Sequence, residues 1–335
     1  MVTIAQVARQ AGVGVSTVSR VLNDHPSVRP ETRARVQATI AELDYRPSPL
    51  ARGLKHGRVD RIAVLVSFFT SPSAVERLRG LTQALSGTGY ELVVHPVLDE
   101  EQRRKHLASL AGPHRADGIV LITLPLDDDE LARLTASSIS VIQIDGPHPG
   151  VSTVAVDDVR GGELAAAHLL QLGHEHIGFV GDRRPPDSGF TSSRDRQAGF
   201  LARLHRAGVA DPDRFVRLDV HGVDQAAEMA GDLLAGAQRP TAVFAASDLQ
   251  ALGVLRAARE LRLRVPQDLS VLGFDDIDAA RHVGLSTIRQ PLQESGQLAA
   301  ELLLQDLADP SSATAQRHVL PLEVVPRGTT APPGI

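Results

Sequence analysis

Residues 3–23 read TIAQVARQAGVGVSTVSRVLN, and this stretch decides the fold of the amino-terminal part of the chain. Thr3 and Gln6 have the spacing of a capping box, in which the hydroxyl and the amide side chain bond to backbone N–H groups. Apolar residues then recur at helical spacing as far as Ala11. Gly12 predicts the end of this first helix, because glycine tolerates the left-handed conformation found there.

Two further short helices are predicted after this turn. The second runs from Val15 to about Asn23, and its apolar face consists of Val18, Val21 and Leu22. The third begins at Pro30, a residue suited to the first helical position, and its apolar stripe consists of Val36, Ile40 and Leu43. Helices this short are marginal alone in water, so we expect an all-α head whose three helices pack together.

The charges of the chain are unevenly distributed. Residues 1–59 hold 9 Lys+Arg and 4 Asp+Glu, a net of +5, whereas the remainder holds 26 and 36, a net of −10. A basic head on an acidic body suggests that the head meets a polyanion. Chance clustering is the alternative that charge alone leaves open.

From Arg61 onward, apolar strands alternate with helical stretches, which is typical of a parallel α/β sheet. Two series of strands predict two similar doubly wound lobes, with ligands bound outside the carboxyl ends of the strands. The first series is 62–67, 91–97, 118–123, 141–145 and 153–156, and the second is 177–181, 215–219, 242–246 and 270–274.

Composition excludes several classes of protein. No apolar run reaches the ~18 residues of a membrane span. The amino terminus lacks the pattern of a secretory signal, and the absence of cysteine excludes disulfides and thiolate metal sites. We therefore expect a cytoplasmic protein that has no contact with the membrane.

Motifs for catalysis and metal binding are also missing. The sequence contains no His-Glu-x-x-His, no Gly-x-Ser-x-Gly and no P-loop. Residues 127–130, Asp-Asp-Asp-Glu, fit the first turn of a helix and lack the glycine and spacing of a calcium loop. We predict no enzymatic activity, no cofactor and no metal site.

Motifs in the same order along nearly the whole chain resemble the LacI/GalR family of bacterial repressors. They include the stretch at 3–23, ARGLK at 51–55, DGI at 117–119, LGH at 172–174, PTAVF at 240–244, GFD at 273–275 and RGTT at 327–330. This resemblance implies a helix-turn-helix head joined to a periplasmic-binding-protein-like sensor. It assigns 1–47 to the head, 48–59 to a hinge, 60–157 with 288–317 to one lobe, and 158–287 with 318–335 to the other.

The resemblance implies that the second helix enters the major groove of DNA. It assigns base contacts to Val15, Ser16 and Arg20, and arginine can bond bidentately to guanine. Phosphate contacts are assigned to Thr3, Thr17, Ser19 and Asn23. Arg52 and Leu54 belong to the hinge, where Leu54 would wedge into the minor groove. Because two hinges must pair, the resemblance implies a homodimer and a near-palindromic operator. The alternatives are that these helix residues are merely solvated and that Leu54 only packs against a neighbouring hinge helix or the core.

The same resemblance assigns effector binding to Arg196 and Asp275. Side chains at the strand ends facing the same cleft are further candidates, namely Asp145, Ser247, Asp248, Phe69 and His221. The alternatives are an ion pair between lobe elements for the first two residues and helix caps for the strand-end carboxylates. Sugars and purines both suit such groups, and we expect a sugar.

Three functions were weighed against these observations. A sequence-specific DNA-binding repressor, controlled allosterically by a small molecule between its lobes, accounts for both the head and the body. A solute-binding protein serving a transporter fits the body alone, and the basic head argues against it. An enzyme fused to a DNA-binding domain would need catalytic groups, which the sequence does not display.

Overall fold

The computed structural model describes residues 2–22, 25–45, 59–146, 148–183, 191–311 and 314–334. The chain forms two compact units, Met1–Asp60 and Arg61–Ile335. In the described part of the chain, no helix combines the length and the apolar character needed to span a membrane.

The first unit is the predicted three-helix head. Its helices are α1 (Ile4–Gln10), α2 (Val15–Leu22) and α3 (Pro30–Glu42). Val7, Val18 and Val36 contribute one fully buried side chain from each helix, so the core lies where the three apolar faces meet. The capping box forms as predicted, because Thr3 and Gln6 exchange their backbone and side-chain hydrogen bonds at the start of α1.

The second unit contains two six-stranded sheets with helices on both faces. The first half contains β1 (Arg61–Ser67), α4 (Pro72–Leu85), β2 (Glu91–Val97), α5 (Glu100–Leu110), β3 (Gly118–Ile122), α6 (Asp128–Ala136), β4 (Ser140–Ile144) and β5 (Ser152–Val156). The second half contains α7 (Asp158–Gln171), β6 (Ile177–Asp182), α8 (Ser192–Arg206), β7 (Val216–Asp219), α9 (Val223–Leu234), β8 (Ala242–Ala245), α10 (Asp248–Glu260), β9 (Ser270–Asp275), α11 (Asp278–His282) and β10 (Ser286–Arg289). The chain ends with α12 (Leu292–Ala308), β11 (Arg317–Leu320) and β12 (Glu323–Val325).

The two sheets share one strand order. The first is ordered β2-β1-β3-β4-β5-β11 and the second β7-β6-β8-β9-β10-β12. All neighbouring strands are parallel except β10 and β12, which run antiparallel. Two doubly wound lobes of mostly parallel strands are thus confirmed.

The lobe boundaries differ from those predicted. The boundary placed at 287/288 cuts through β10, all of which lies in the second sheet. The boundary at 317/318 cuts through β11, all of which lies in the first sheet. Strands β10, β11 and β12 are only three or four residues long and carry no long apolar run, so the sequence pattern did not predict them.

The chain passes between the two lobes several times. After β10 it enters α12, which packs on α4 and on the first sheet. Gln290 therefore lies at a crossing point, one residue after the end of β10. This position makes Gln290 important for the site between the sheets.

Candidate functional site

Helix α2 in the head has one buried face and one exposed face. Val18 and Val21 are buried against the other helices. Val15, Ser16 and Arg20 are exposed on the opposite side. The side chains predicted to contact bases thus point to solvent, as a helix lying in a DNA groove requires.

The predicted phosphate-contacting residues are only partly covered by the structure. Thr3 is exposed at the start of α1, and Thr17 and Ser19 are half-buried on α2. Asn23, Arg52 and Leu54 lie outside the described residues, so their roles stay predictions.

A cleft of about 710 Å³, including the part open to solvent, lies between the two sheets of the second unit. It is found at the carboxyl ends of the strands, where ligands bind in open α/β sheets. Residues that follow β1, β3 and β4 line one wall, and residues that end or follow β6, β8 and β9 line the other. Five of the predicted residues line it: Asp145, Arg196, His221, Ser247 and Asp275.

Phe69 was predicted to stack on a ligand, and this prediction is wrong in position. The neighbouring Phe68 lines the cleft instead, with its ring 6.0 Å from that of His221. Phe68 has a φ of 54°, which breaks the strand alternation just after β1. The alternation therefore could not indicate which of the two phenylalanines turns inward.

Asp248 was also predicted to face the ligand, but its carboxylate is buried away from the cleft. It accepts hydrogen bonds from Ile277 N at 2.9 Å and from Thr287 Oγ1 at 2.6 Å. Burial raises its pKa well above the ordinary value, and the nearby Asp275 raises it further. Asp248 therefore joins β10 and the loop before α11, the structural alternative for a strand-end carboxylate.

Arg196 is held from several sides at the wall of the cleft. Its Nε donates to Asp158 Oδ1 at 2.7 Å, and its Nη1 donates to the carbonyl oxygen of Ala246 at 2.6 Å. The guanidinium lies 3.5 Å from the ring centroid of Phe274. Burial alone would lower the pKa of Arg196, but Asp158 and Asp275 raise it, so the group stays a fixed cation.

Asp275 ends β9 and lies beside this arginine. Its Oδ1 is 3.9 Å from Arg196 Nη1 and accepts a hydrogen bond from Gln290 Nε2 at 2.5 Å. Burial raises the pKa of Asp275, whereas Arg196 and the bond from Gln290 lower it. The carboxylate is thus oriented by one cation and one amide.

A second buried ion pair lines the opposite wall. Arg77, on α4, donates from Nη2 to Asp145 Oδ2 and, at 3.3 Å, to Gln290 Oε1. The two side chains of the ion pair are 7% and 10% exposed. A continuous polar network therefore runs from Arg77 through Gln290 to Asp275, across both lobes.

A third carboxylate, Asp182, lies at the end of β6. It accepts from Gln250 Nε2 at 2.8 Å and lies 3.1 Å from His221 Nδ1. Ser247 caps α10, and its hydroxyl contacts Gln250. The cleft therefore combines charged donors, charged acceptors and hydroxyl groups on both walls.

Several cleft residues were not predicted: Phe68, Arg77, Asp182, Gln250 and Gln290. Asp182 ends a strand as Asp275 does, so the strand-end rule could have found it. Gln290 directly follows β10, a short strand that the sequence pattern did not predict, so the strand-end rule could not find it. Arg77 lies inside a helix, where no local signal separates it from other arginines.

Comparison with known proteins identifies the family to which this architecture belongs. Residues 3–48 match the bacterial regulatory proteins of the lacI family, and residues 166–330 match a periplasmic binding protein-like domain. The ribose operon repressor of Escherichia coli (strain K12) is 33% identical over 327 residues, covering 96% of this chain and 98% of that protein. The chain belongs to the LacI family.

Other members of the LacI family match nearly all of the chain or its larger part. The transcriptional repressor PurR of Pectobacterium carotovorum subsp. carotovorum (strain PC1) is 32% identical over 96% of this chain and 94% of its own length. A lac repressor dimer bound to operator and the anti-inducer ONPF matches with a TM-score of 0.84 and 27% identity, covering 98% of this chain and 99% of that one. A ribose-bound LacI-family regulator from Enterococcus faecium matches with a TM-score of 0.72 and 29% identity, over 81% and 99%. The chain is thus a LacI-family transcriptional repressor and not an enzyme.

Proposed function

We propose that this repressor binds a near-palindromic operator as a homodimer and that a neutral monosaccharide in the cleft controls its affinity for DNA. The head consists of residues 1–47, and residues 48–59 form the hinge. We propose that the remaining lobe boundaries lie after β5, after β10 and after β11, and the strand order of the two sheets supports this. The solved lac repressor dimer on its operator supports the assembly.

The polar chemistry of the cleft favours a sugar over a purine, and this observation carries the proposal. Arginine–carboxylate pairs stand on both walls, at Arg77–Asp145 and at Arg196–Asp275. Sugar hydroxyl groups both donate and accept, so they can bond to an arginine and a carboxylate side by side. A purine would instead need broad aromatic faces, and the rings on the described lining are those of Phe68 and His221. The ribose repressor and the ribose-bound structure agree with this choice.

Control of DNA binding requires that the sugar bind two states with different affinity. Because the cleft is lined from both lobes, a ligand held between Asp145 and Asp275 would favour one spacing of the lobes. Coupling between the cleft and DNA is then reciprocal: operator DNA changes the affinity for the sugar by the same factor.

The test is calorimetric titration of the full-length repressor with D-ribose, D-glucose, hypoxanthine and guanine. We expect one of the sugars to bind and neither purine to do so. The same sugar should alter the affinity of the repressor for a duplex selected from random sequence. Binding of a purine in place of both sugars would refute the proposed effector class. Failure to select any duplex that the repressor binds at modest salt would refute the DNA-binding function.

A further inference from the structure

The two arginine–carboxylate pairs occupy equivalent places in the two lobes. Arg77 lies on the helix that follows β1, and Arg196 lies on the helix that follows β6. Strands β1 and β6 hold the same position in the two identical strand orders. Asp145 directly follows β4 and Asp275 ends β9, and these strands are also equivalent.

The backbone has a positive φ at both carboxylates, but in different regions. Asp145 has a φ of 55°, in the left-handed region that aspartate adopts more often than most residues, whereas Asp275 has a φ of 123°, outside that region. A conformation of the second kind persists only where surrounding structure enforces it, and such conformations cluster at binding and catalytic sites. Asp275 is therefore held at the cleft at the expense of backbone strain.

Each pair leaves one donor and one acceptor without a protein partner. Among the described residues, Asp145 Oδ1 and Arg77 Nη1 make no hydrogen bond, while Asp145 Oδ2 and Arg77 Nη2 are bonded to each other. On the other wall, Arg196 Nη2 and Asp275 Oδ2 are likewise without a hydrogen bond to the described part of the chain. Most buried polar groups are hydrogen-bonded, so donors and acceptors left open on the walls of a cleft suit a ligand.

The charges of the cleft define what can bind. The charges of the two arginines and of Asp145 and Asp275 cancel. Asp158, which is bonded to Arg196, and the buried Asp182 add two further carboxylates. A phosphate or a carboxylate on the ligand would therefore meet uncompensated negative charge. Neutral hydroxyl groups would not, and adjacent hydroxyls can bond to one arginine and one carboxylate together.

We propose that Arg77 and Asp145 form a second sugar-binding clamp, facing the clamp formed by Arg196 and Asp275. The cleft then selects an uncharged sugar ring whose hydroxyl groups lie on two opposite edges, one edge for each lobe. Arg77 determines specificity on the wall of the first lobe. This inference rests on the proposed function and adds the site that recognises the second edge.

The test combines paired substitutions with deoxy sugars. Arg77→Met with Asp145→Asn removes one clamp without leaving a buried unpaired charge. Arg196→Met with Asp275→Asn and Asp158→Asn removes the other, and the third substitution is needed because Asp158 is bonded to Arg196. Arg79→Met is the matched control, since Arg79 is exposed on the same helix and is bonded to Glu76. Each protein is titrated calorimetrically with D-ribose, D-glucose and the monodeoxy analogues of both, and its thermal melting is recorded. Asp145→Asn alone replaces the first pair of substitutions if that protein does not melt cooperatively.

Each clamp should be coupled to its own hydroxyl group. We expect loss of either clamp to weaken binding of the parent sugar by at least about tenfold, the effect of a lost hydrogen bond to a charged group. One deoxy analogue should bind to the wild type and to the protein without the first clamp with the same, weakened affinity. A different analogue should bind to the wild type and to the protein without the second clamp with equal affinity. Arg79→Met should bind as the wild type does.

The outcomes separate this inference from the function on which it rests. Unchanged sugar affinity without the first clamp, or coupling of both clamps to the same hydroxyl, would overturn the second clamp and leave the sugar effector standing. Equal affinity for a sugar and its 6-phosphate or 5-phosphate ester would overturn the selection against charge. No binding of any sugar by the wild type would overturn both proposals.

Discussion

At the scale of the single residue, Asp158 shows how strongly the cleft acts on its charged groups. It is the first residue of α7, and Arg196 Nε is bonded to its carboxylate. Burial raises the pKa of Asp158 from 3.8 to about 6, with Arg196 opposing this effect and Asp145 adding to it. Between pH 3.8 and pH 6 the native state holds this proton more tightly than the unfolded chain does. The contribution of Asp158 to the free energy of unfolding therefore falls as the pH rises through this range.

This shift leads to a prediction for Asp158→Asn. The free energy of unfolding of the wild type, relative to that of the variant, should fall by about 2 kcal/mol between pH 4 and pH 7, which is most of the effect of a shift of about two pKa units. Urea unfolding at several pH values measures this difference, and Asp129→Asn on an exposed helix start controls for the loss of one carboxyl. A difference that stays constant with pH would contradict the shifted pKa.

Arg20 is the residue whose exposure matters most for DNA recognition. Arg20→Lys keeps the charge and removes the planar fork that can bond bidentately to a guanine. We expect affinity for the selected operator to fall by about tenfold to a hundredfold, corresponding to 1–3 kcal/mol, while affinity for random duplex stays unchanged. Arg9→Lys on α1 is the matched exposed control. Unchanged affinity for both operator and random DNA in a binding assay would assign Arg20 to phosphate contact instead, because lysine keeps the positive charge.

The residues that sequence reasoning placed correctly in the cleft are those fixed by backbone position. Asp275 ends a matched motif, the resemblance assigns Arg196 to the effector, and Asp145 ends a predicted strand, so the fold itself brings them together. Asp248 was misplaced because a carboxylate after a strand can turn either into the cleft or towards neighbouring elements of its own lobe. Which of these occurs depends on distant partners such as Thr287, which no local pattern reveals.

At the scale of the element, glycines bring each clamp arginine close to the neighbouring helix. A Cβ on Gly296 of α12 would lie 2.0 Å from the carbonyl oxygen of Arg77, and one on Gly162 of α7 would lie 1.9 Å from that of Arg196. Neither contact can be relieved by turning a side chain, because the carbonyl belongs to a helix backbone. The crossing of these helices therefore fixes the position of each arginine.

A substitution of Gly296 tests this coupling of packing to binding. Gly296→Ala should destabilise the repressor by about 1–3 kcal/mol or more through overpacking and should also weaken sugar binding. Gly231→Ala on α9 is the matched control, since a Cβ there meets nothing within 4 Å. That control should be neutral or stabilising by up to ~1 kcal/mol, the helix preference of alanine over glycine. Chemical unfolding and calorimetry would contradict the coupling if both variants behaved alike.

Element prediction succeeded wherever an apolar run was long. The nine predicted strands all form, and seven of them are buried along nearly their whole length, which requires near-continuous apolar residues. The three missed strands are at most four residues long; β11 and β12 are half-exposed sheet edges, and β10 is buried but has the sequence Ser-Thr-Ile-Arg, so their sequences carry little pattern. Pairing with a preformed sheet, rather than local preference, makes them strands.

At the scale of the whole molecule, the repeated strand order explains why the cleft was easier to locate than to describe. Two sheets of the same topology bring two sets of strand ends to one cleft, and this follows from the order of strands alone. The second clamp is invisible at this level, because Arg77 meets Asp145 across 68 residues and Gln290 across 213. Contacts between residues so far apart along the chain are seen in the three-dimensional structure and cannot be predicted from sequence periodicity.

Division of the chain into two compact units predicts that recognition of DNA and of sugar can be separated. A protein lacking residues 1–59 should stay folded, because the second unit has its own sheets and buried cores. It should bind the sugar with the affinity of the operator-free full-length protein and should show no affinity for the operator. Calorimetry and a DNA-binding assay at several salt concentrations measure both properties.

Loss of the charge of +5 carried by residues 1–59 should also remove the salt-dependent affinity for random duplex. Specific operator binding by the shortened protein would place the DNA-binding surface outside the head, and the function of α2 would then have to be abandoned.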